Sequence, residues 1–564
     1  MKATKKIVSI TLAIVLVALA FVMPVSAAKT YPLIVIDGFA SSELYLNVGT
    51  EDEKPAFDTS EENAQAMGTE IAVAFIKGLV IGGLTDKYKN YDKVADELLP
   101  VVNKYIKDIG YNTDGTPMND TVGVKKTDKA MSEYTEEEQA KFSTFAQEYA
   151  KKYGAEYVYT FSYDWRADPV AIAEEFADYV EMVKDETGAN KVNVVAHSMG
   201  SNILVCYLNA HGGKSLRNVV FTSPAWKGTS LAGSIFVGDI ELADFSLENF
   251  LVQLGNDNFF THVIAFAISY VASDEGLGGE EYTPAINQVL QQMLPRIYSD
   301  TIIPYIAGMP GIWSLVPGDY FEDAKQFLFP NGVDANLSAM IEAYHNIQKD
   351  STNIIKNAMK NDKVRFGIVC GYNCQMIPVN DDYQQSDTII DVKYMSADAR
   401  CSDYLQAYDD WGKIYNQEVK DEHNHISWDY KVDASTSDFR ENVWFIKNMQ
   451  HNEFSAETGT INVVMWLLGA TEQYDVHTDE KYPQFSLYNT YKKTTKPINV
   501  EYGIGDVNMS GAVTGADARL ALQMAAGIKK PTDDQLILGD IDEDGEITVD
   551  DARSILCMAA GIAY

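Results

Sequence analysis

The stretch Lys191-Val-Asn-Val-Val-Ala-His-Ser-Met-Gly200 decides the fold. A short valine-rich run, as expected of a buried strand, ends at Ala196-His-Ser-Met-Gly200, and helical sequence follows from Ser201 to Asn209. A serine between strand and helix, with a small residue two positions before and two after, is the pattern of a nucleophile elbow. Larger side chains at positions 196 and 200 would collide where strand and helix converge on the sharp turn. The commoner pattern has glycine at both places, and Ala196 is still small. A helix starting beneath Ser198 turns its free N–H groups and its dipole toward negative charge developing at that serine. The plainer alternative, a serine capping an ordinary crossover helix, accounts for less of the pattern.

Outward from the elbow the chain alternates strand and helix. Tyr31-Pro-Leu-Ile-Val-Ile-Asp-Gly-Phe39 predicts a buried strand over Leu33 to Ile36 and a turn after it. Tyr157 to Phe161 is the next strand, ending in Tyr163-Asp-Trp-Arg166. Asp168 and Pro169 open a helix as N-cap and first-turn residue, with Ile172, Phe176 and Val180 on one apolar face. Leu216 to Thr222 is a strand after the elbow, and it ends at Ser223-Pro-Ala-Trp226. This order predicts a mostly parallel sheet covered on both faces, an α/β fold of the α/β-hydrolase kind. In that fold the oxyanion hole is built from two backbone N–H groups, one at an early strand end and one just after the nucleophile. These are Phe39 and Met199. Residues 62–150 and 229–350 are expected to be helical cap or lid insertions. Apolar stretches within the second, Asn258 to Val271 and Ile286 to Leu294, suit either a lid or plain helical core.

The set Asp37-Gly38-Phe39, Tyr163-Asp-Trp-Arg166, Ala196-His-Ser-Met-Gly200, Ser223-Pro-Ala-Trp226 and Met309-Pro-Gly-Ile-Trp-Ser-Leu-Val-Pro317 resembles the lecithin:cholesterol acyltransferase-like lipases, over roughly residues 31–455. The resemblance implies hydrolysis of carboxylic esters. Chain order in such folds is nucleophile, then acid, then histidine. Ser386-Asp387-Thr-Ile-Ile-Asp391 is similar to the family's Gly-Asp-Gly-Thr-Val piece without its glycines, which implies Asp387 as the acid, with Asp391 and Asp382 in reserve. Asn442 to Gln450 predicts a last strand, and His451 just beyond it stands where the general base belongs. His423 and His425 are its rivals. His211, His262, His345 and His477 have no supporting context, and His197 is expected to pack beside the nucleophile.

Residues 1–28 read as a secretory signal peptide: Lys2, Lys5 and Lys6, an apolar core from Ile7 to Val22, and the small residues Val25-Ser-Ala27-Ala28. Ile71 to Leu84 is too short and too glycine-rich to span a bilayer, so no transmembrane anchor is expected. The formal net charge is −36 over 564 residues, and −39 once the three signal lysines are removed. Such acidity argues against nucleic acid and anionic membrane surfaces as partners. Five cysteines are too few for a disulfide scaffold. One bridge among Cys370, Cys374 and Cys401, or free buried thiols, fits equally.

The C-terminal end repeats itself. After a Ser/Thr/Tyr/Lys-rich stretch expected to be a linker (486–503), Gly505-Asp-Val-Asn-Met-Ser-Gly511 returns 34 residues later as Gly539-Asp-Ile-Asp-Glu-Asp-Gly545. Asp517-Ala-Arg519 and Met524-Ala-Ala-Gly527 return at the same offset. Each half matches a calcium loop. The expected side-chain ligands are Asp506, Asn508, Ser510 and Asp517 in one, and Asp540, Asp542, Asp544 and Asp551 in the other. Ala512 and Glu546 offer backbone carbonyls, and Thr514 and Thr548 reach the ion through water. Residues 504–564 closely resemble a type I dockerin, a small all-α module holding two Ca2+ ions. The resemblance implies a cohesin domain on a scaffold protein as partner, in a cell-surface complex of the cellulosome type.

The sequence therefore predicts a secreted serine ester hydrolase, with domains at 29–485 and 504–564 and no cofactor in catalysis. The substrate is an acyl ester, either a lipid or a cell-wall carbohydrate ester. A scaffold-borne hydrolase fold that has lost its triad and only binds is the non-enzymatic alternative.

Overall fold

The computed structural model describes residues 30–57, 70–71, 73–74, 77–78, 92–241, 282–377, 384–404, 417–420, 423–454, 458–489, 493–498, 502–542 and 545–562. The signal-peptide expectation, the stretch 258–271, Asp382, His262 and Asp544 lie outside these residues.

The described chain has a mixed α/β architecture built on one eight-stranded sheet. Its strands are β1 (Leu33–Ile36), β2 (Val158–Thr160), β3 (Val192–His197), β4 (Leu216–Thr222), β5 (Arg365–Tyr372), β6 (Val443–Lys447), β7 (Phe485–Asn489) and β8 (Thr494–Pro497). In space they run β8-β7-β6-β5-β4-β3-β1-β2. All pairings are parallel except that of β7 with β8. From β1 the chain steps outward to β2, then returns to the other side of β1 for β3 and winds the opposite way. The order thus reverses between β1 and β3, and in open α/β sheets ligands bind outside the carboxyl ends of the strands at such a reversal.

The valine-rich strands are buried on both faces, as parallel strands must be. Ile34, Ile36, Val194, Ala196, Val219, Phe221 and Ile368 share one apolar cluster with Ile172, Phe176 and Val180 of the helix Pro169–Thr187 and with Ile203 and Leu204 of the helix Gly200–His211. Their alternates Leu33, Val35, Val195, Val220, Val369 and Trp444 face the other cluster, with Phe145 and Tyr149 of the helix Thr144–Tyr153 and Ile461 and Val464 of the helix Thr458–Leu468. The alternation follows from successive side chains pointing to opposite faces. Each such aliphatic side chain, fully buried, contributes about 1.5–3 kcal/mol. The predicted helix after Asp168 starts as read. The Asp168 carboxylate accepts the Val170 N–H at 3.0 Å, Pro169 holds the first position, and Gly188 closes the helix at φ +64°.

Two expectations change. The stretch 486–503 is not simply a linker, because it contains most of β7 and all of β8, which extend the sheet past β6. Its polar composition is that of an edge hairpin: Tyr488 is buried inward, while β8 is largely exposed and ends at Pro497, where a missing N–H is tolerated. Within 62–150, the helix Thr144–Tyr153 packs on the main sheet, and Val122–Val124 pairs with Leu44–Leu46, which also pairs with Lys54–Phe57. Strands this short carry too little periodicity to be read from sequence. In 229–350, Phe236, Leu294, Tyr298, Trp313, Phe321 and Ile341 form a separate helical cluster.

Near the C-terminus the helices Gly515–Ala525 and Val549–Ala560 pack around Val507, Ala518, Ala521, Ile547 and Ile555. Among the described residues, no helix is long and apolar enough to cross a membrane, and all five cysteines are free thiols.

Candidate functional site

The elbow forms where the sequence places it. Ser198 adopts φ +51°, a left-handed conformation that a serine takes only when its surroundings impose it. Its N–H donates to Thr222 O at 3.0 Å, and its own carbonyl accepts from Ser201 N, Ser201 Oγ and Ala225 N. A side chain at position 200 would run into the Ile36 carbonyl oxygen, so the convergence of strand and helix requires Gly200. Gly38 is as tightly constrained, since a Cβ there would lie 2.6 Å from Ser198 Cβ.

Two strand ends bring the partners to Ser198. His451 follows β6, and its Nε2 lies 3.0 Å from Ser198 Oγ. Its Nδ1 lies 2.8 Å from Asp387 Oδ2, carried on the loop after β5. The two loops are also joined through the backbone, His451 N donating to Asp387 O at 2.7 Å. Ser198, Asp387 and His451 are all buried. Asp387 Oδ1 accepts the N–H groups of Ile389 and Ile390 at 3.1 and 2.8 Å. Burial pushes the Asp387 carboxyl up, but the His451 charge and hydrogen bond and the Ile390 N–H outweigh it and hold the group below the usual carboxylate value. A carboxylate kept ionised at Nδ1 fixes the tautomer that turns the Nε2 lone pair toward the serine.

The reserve residues have other places. Asp391 is buried and caps the helix Ser230–Val237, accepting Ser230 N at 2.8 Å and Ser230 Oγ at 2.7 Å; burial raises its pKa. His425 and His423 sit with His477 beyond the opposite end of β6. His345 stacks on Phe321 at 3.9 Å, and His211 Nε2 lies 3.1 Å from Glu174. His197 flanks the triad, its ring centroid 4.9 Å from that of His451, and its Nδ1 reaches Thr222 O at 3.1 Å. Burial, with the nearby His451 charge, pushes its pKa down to about 3.

Of the two N–H groups expected in the oxyanion hole, that of Met199 directly follows Ser198, and that of Phe39 directly follows Gly38, where an added Cβ would lie 2.6 Å from Ser198 Cβ. What the sequence did not reveal is how the second of these is held. Tyr163 Oη donates to Asp37 O at 2.8 Å, and Trp165 packs edge-on against Phe39 at 4.5 Å. Arg166, fully buried, forks onto Asp164 at 2.9 and 2.6 Å and donates to the carbonyls of Ile109 and Val122. The Tyr163-Asp-Trp-Arg166 motif is thus the brace of the turn beside Ser198. Burial raises the Asp37 carboxyl to about 6.

In the C-terminal repeat both loops use one hydrogen-bonding scheme. Asp517 accepts from Asn508 N and from Thr514 N and Oγ1, and Asp551 accepts from Ile541 N, Asp542 N and from Thr548 N and Oγ1. Asp506 accepts from Ser510 N and Gly511 N, and Asp540 from Gly545 N. Gly511 and Gly545 take φ +89° and +92°. Asp540, Asp542 and Asp551 bring carboxylate oxygens within 4.8 Å of one another, a group that could hold a metal ion. Ligands that are all oxygen suit a hard cation. The first loop offers two carboxylates, Asp506 and Asp517, with neutral oxygens at Asn508 and Ser510, and the Ser510 hydroxyl already donates to Ala512 O at 3.2 Å.

A family model described as alpha/beta hydrolase fold matches residues 118–251, which include the elbow. The chain thus carries a serine-hydrolase-type catalytic fold and is an enzyme of the general esterase and lipase type. Among solved structures, a chain of "The crystal structure of Tle4-Tli4 complex" is similar at 11% identity and TM-score 0.32, covering 78% of this chain and 99% of that one. The cohesin partner expected from sequence has no counterpart in this comparison, whose title names a Tle4–Tli4 complex.

Proposed function

We propose that this protein is a secreted serine hydrolase of carboxylic esters, similar to the lecithin:cholesterol acyltransferase-like lipases. The observation that carries the reading is the unbroken relay from Ser198 Oγ through His451 to Asp387, at 3.0 and 2.8 Å, beneath a positive-φ elbow. His451 takes the proton as Ser198 attacks the ester carbonyl, and Asp387 stabilises the imidazolium that forms. The N–H groups of Phe39 and Met199 receive the oxyanion. His451 returns the proton to the leaving alcohol, then activates a water that hydrolyses the acyl-enzyme. The relay favours catalysis over the non-enzymatic alternative, because a fold kept only for binding has no need of an aligned triad.

A fluorophosphonate probe tests the reading. Labelling at Ser198, abolished in Ser198→Ala, supports it, and folded protein that takes no label sinks it. Acyl esters of rising chain length, with acetylated xylan beside them, then separate lipid from cell-wall substrates.

The repeat at 504–564 is proposed as a two-calcium module, similar in sequence to a dockerin. Asp506, Asn508, Ser510, Asp517 and the Ala512 carbonyl would hold one ion, and Asp540, Asp542, Asp544, Asp551 and the Glu546 carbonyl the other. Calcium would supply charge compensation and folding there, and it takes no part in ester hydrolysis.

A further inference from the structure

Three segments meet beyond the amino end of β6, at the opposite end of that strand from His451. His425 comes from one, Glu441 stands just before β6, and His477 lies on the connection to β7. Backbone hydrogen bonds fix them, Val476 N donating to Glu441 O at 3.0 Å and Ala434 N to His425 O at 2.8 Å. The side chains converge: His425 Nε2 lies 3.5 Å from Glu441 Oε1, and His477 Nε2 lies 3.2 Å from Glu441 Oε2. One ligand atom from each of the three falls within 4.8 Å of the others. The His423 ring stacks on His477 with centroids 3.7 Å apart.

The tautomer of His425 follows from its neighbour. The Gln484 amide nitrogen donates to Arg440 O at 2.7 Å and Val443 O at 3.2 Å, which fixes the amide orientation. Gln484 Oε1 is then an acceptor, and it lies 2.7 Å from His425 Nδ1. Nδ1 must carry hydrogen, so in the neutral ring Nε2 presents a lone pair toward a carboxylate. His425 is buried and Glu441 is partly open to solvent, so two electron-rich atoms face each other where the core meets the surface, an arrangement that a cation between them stabilises. A metal-bound histidine characteristically has its other ring N–H engaged in this way. Tetrahedral zinc with ligands at about 2.0–2.1 Å places them about 3.3 Å apart, close to both imidazole–carboxylate separations.

We propose that His425, Glu441 and His477 bind a divalent transition cation of the zinc class. Two imidazoles and a carboxylate suit that borderline ion better than the hard cation expected of the C-terminal aspartates. A fourth position is left for water. The ion pins the segment around 423–434 and the β6–β7 connection to the amino end of the sheet.

The test uses the full-length protein, stripped with chelator, returned to saturating Ca2+ and titrated with ZnCl2 by calorimetry. Zinc retained after desalting is counted by elemental analysis. One zinc per chain is expected, with a rise in Tm. Glu441→Gln and His477→Gln alter side chains partly open to solvent, and each should weaken binding by about tenfold or more. Wild-type protein that binds no zinc overturns the proposal and leaves a proton shared between His425 and Glu441. Zinc bound with unchanged affinity by both folded variants overturns it as well.

Discussion

Asp387 and Asp551 are both fully buried carboxylates that accept backbone N–H groups, yet their surroundings differ in sign. Around Asp387 the protein provides what the charge needs, two N–H groups on one oxygen and an imidazole on the other. Asp551 shares its loop with Asp540 and Asp542, so like charges crowd within 4.8 Å. The first arrangement is complete in the polypeptide alone. On the calcium reading proposed above, the second needs a cation, because repulsion among carboxylates in a small module has little apolar core to offset it. The contrast separates chemistry prepared by folding from folding that waits for a ligand.

The severest challenge to this contrast is Ser198→Ala, which should lower ester turnover by about 10^4–10^6-fold while circular dichroism and Tm stay near wild type. Turnover kept above a hundredth of wild type would move the nucleophile elsewhere. Asp387→Asn should cost about 10^4-fold, because the amide cannot hold the imidazole tautomer. Full activity in this variant would show that the buried pair is merely structural.

Chelation of calcium should act on the other region only. Calorimetry of the full chain is expected to lose the unfolding transition belonging to residues 504–564, while ester hydrolysis continues. A chelator that left every transition in place would remove the calcium assignment, and one that stopped hydrolysis would break the separation of the two regions.

A smaller effect comes from acid. His197 is held neutral by burial, with a folded pKa of about 3 against an ordinary 6.5, so the unfolded chain takes up the proton first. Stability contributed by this residue is present above pH 6.5 and falls as pH drops from 6.5 toward 3. Asp387, whose folded pKa is depressed, adds to the loss below its ordinary value of 3.8. Asp37 has the opposite sign: raised to about 6, it favours the fold at low pH and loses that contribution as pH rises from 3.8 through 6. Denaturant titrations at stepped pH, comparing wild type with His197→Gln, should show a shallower acid slope in the variant. An unaltered slope would show that His197 is not held neutral. The smallest effect expected is that of Gly38→Ala, about 1–3 kcal/mol, since the added methyl must displace Ser198. A neutral Gly38→Ala would mean that the turn beside the elbow yields easily.

Local patterns made much of this legible. The predicted strands Leu33–Ile36 and Leu216–Thr222 stand unchanged, because a run of apolar residues bounded by turns has few other uses in a doubly covered sheet. The hairpin of β7 and β8 was not legible, since an edge strand with one wet face reads like a linker. Nor was the role of Tyr163-Asp-Trp-Arg166, whose hydrogen bonds reach residues from 37 to 122 in the chain.

What the sequence determined by itself was the elbow around Ser198, the alternation that makes the sheet parallel, and the repeat of acidic loops at 34-residue spacing. Each is a short-range pattern in which neighbouring residues constrain one another's backbone. Only the tertiary structure decided among the carboxylates and histidines. Asp387 and Asp391 are four residues apart and equally buried, yet one meets His451 and the other caps a helix. His451 and His425 flank the two ends of one strand, and only His451 faces Ser198. That choice rests on which strand ends the sheet order brings together, and strand order is a long-range outcome of packing that no local run of residues encodes.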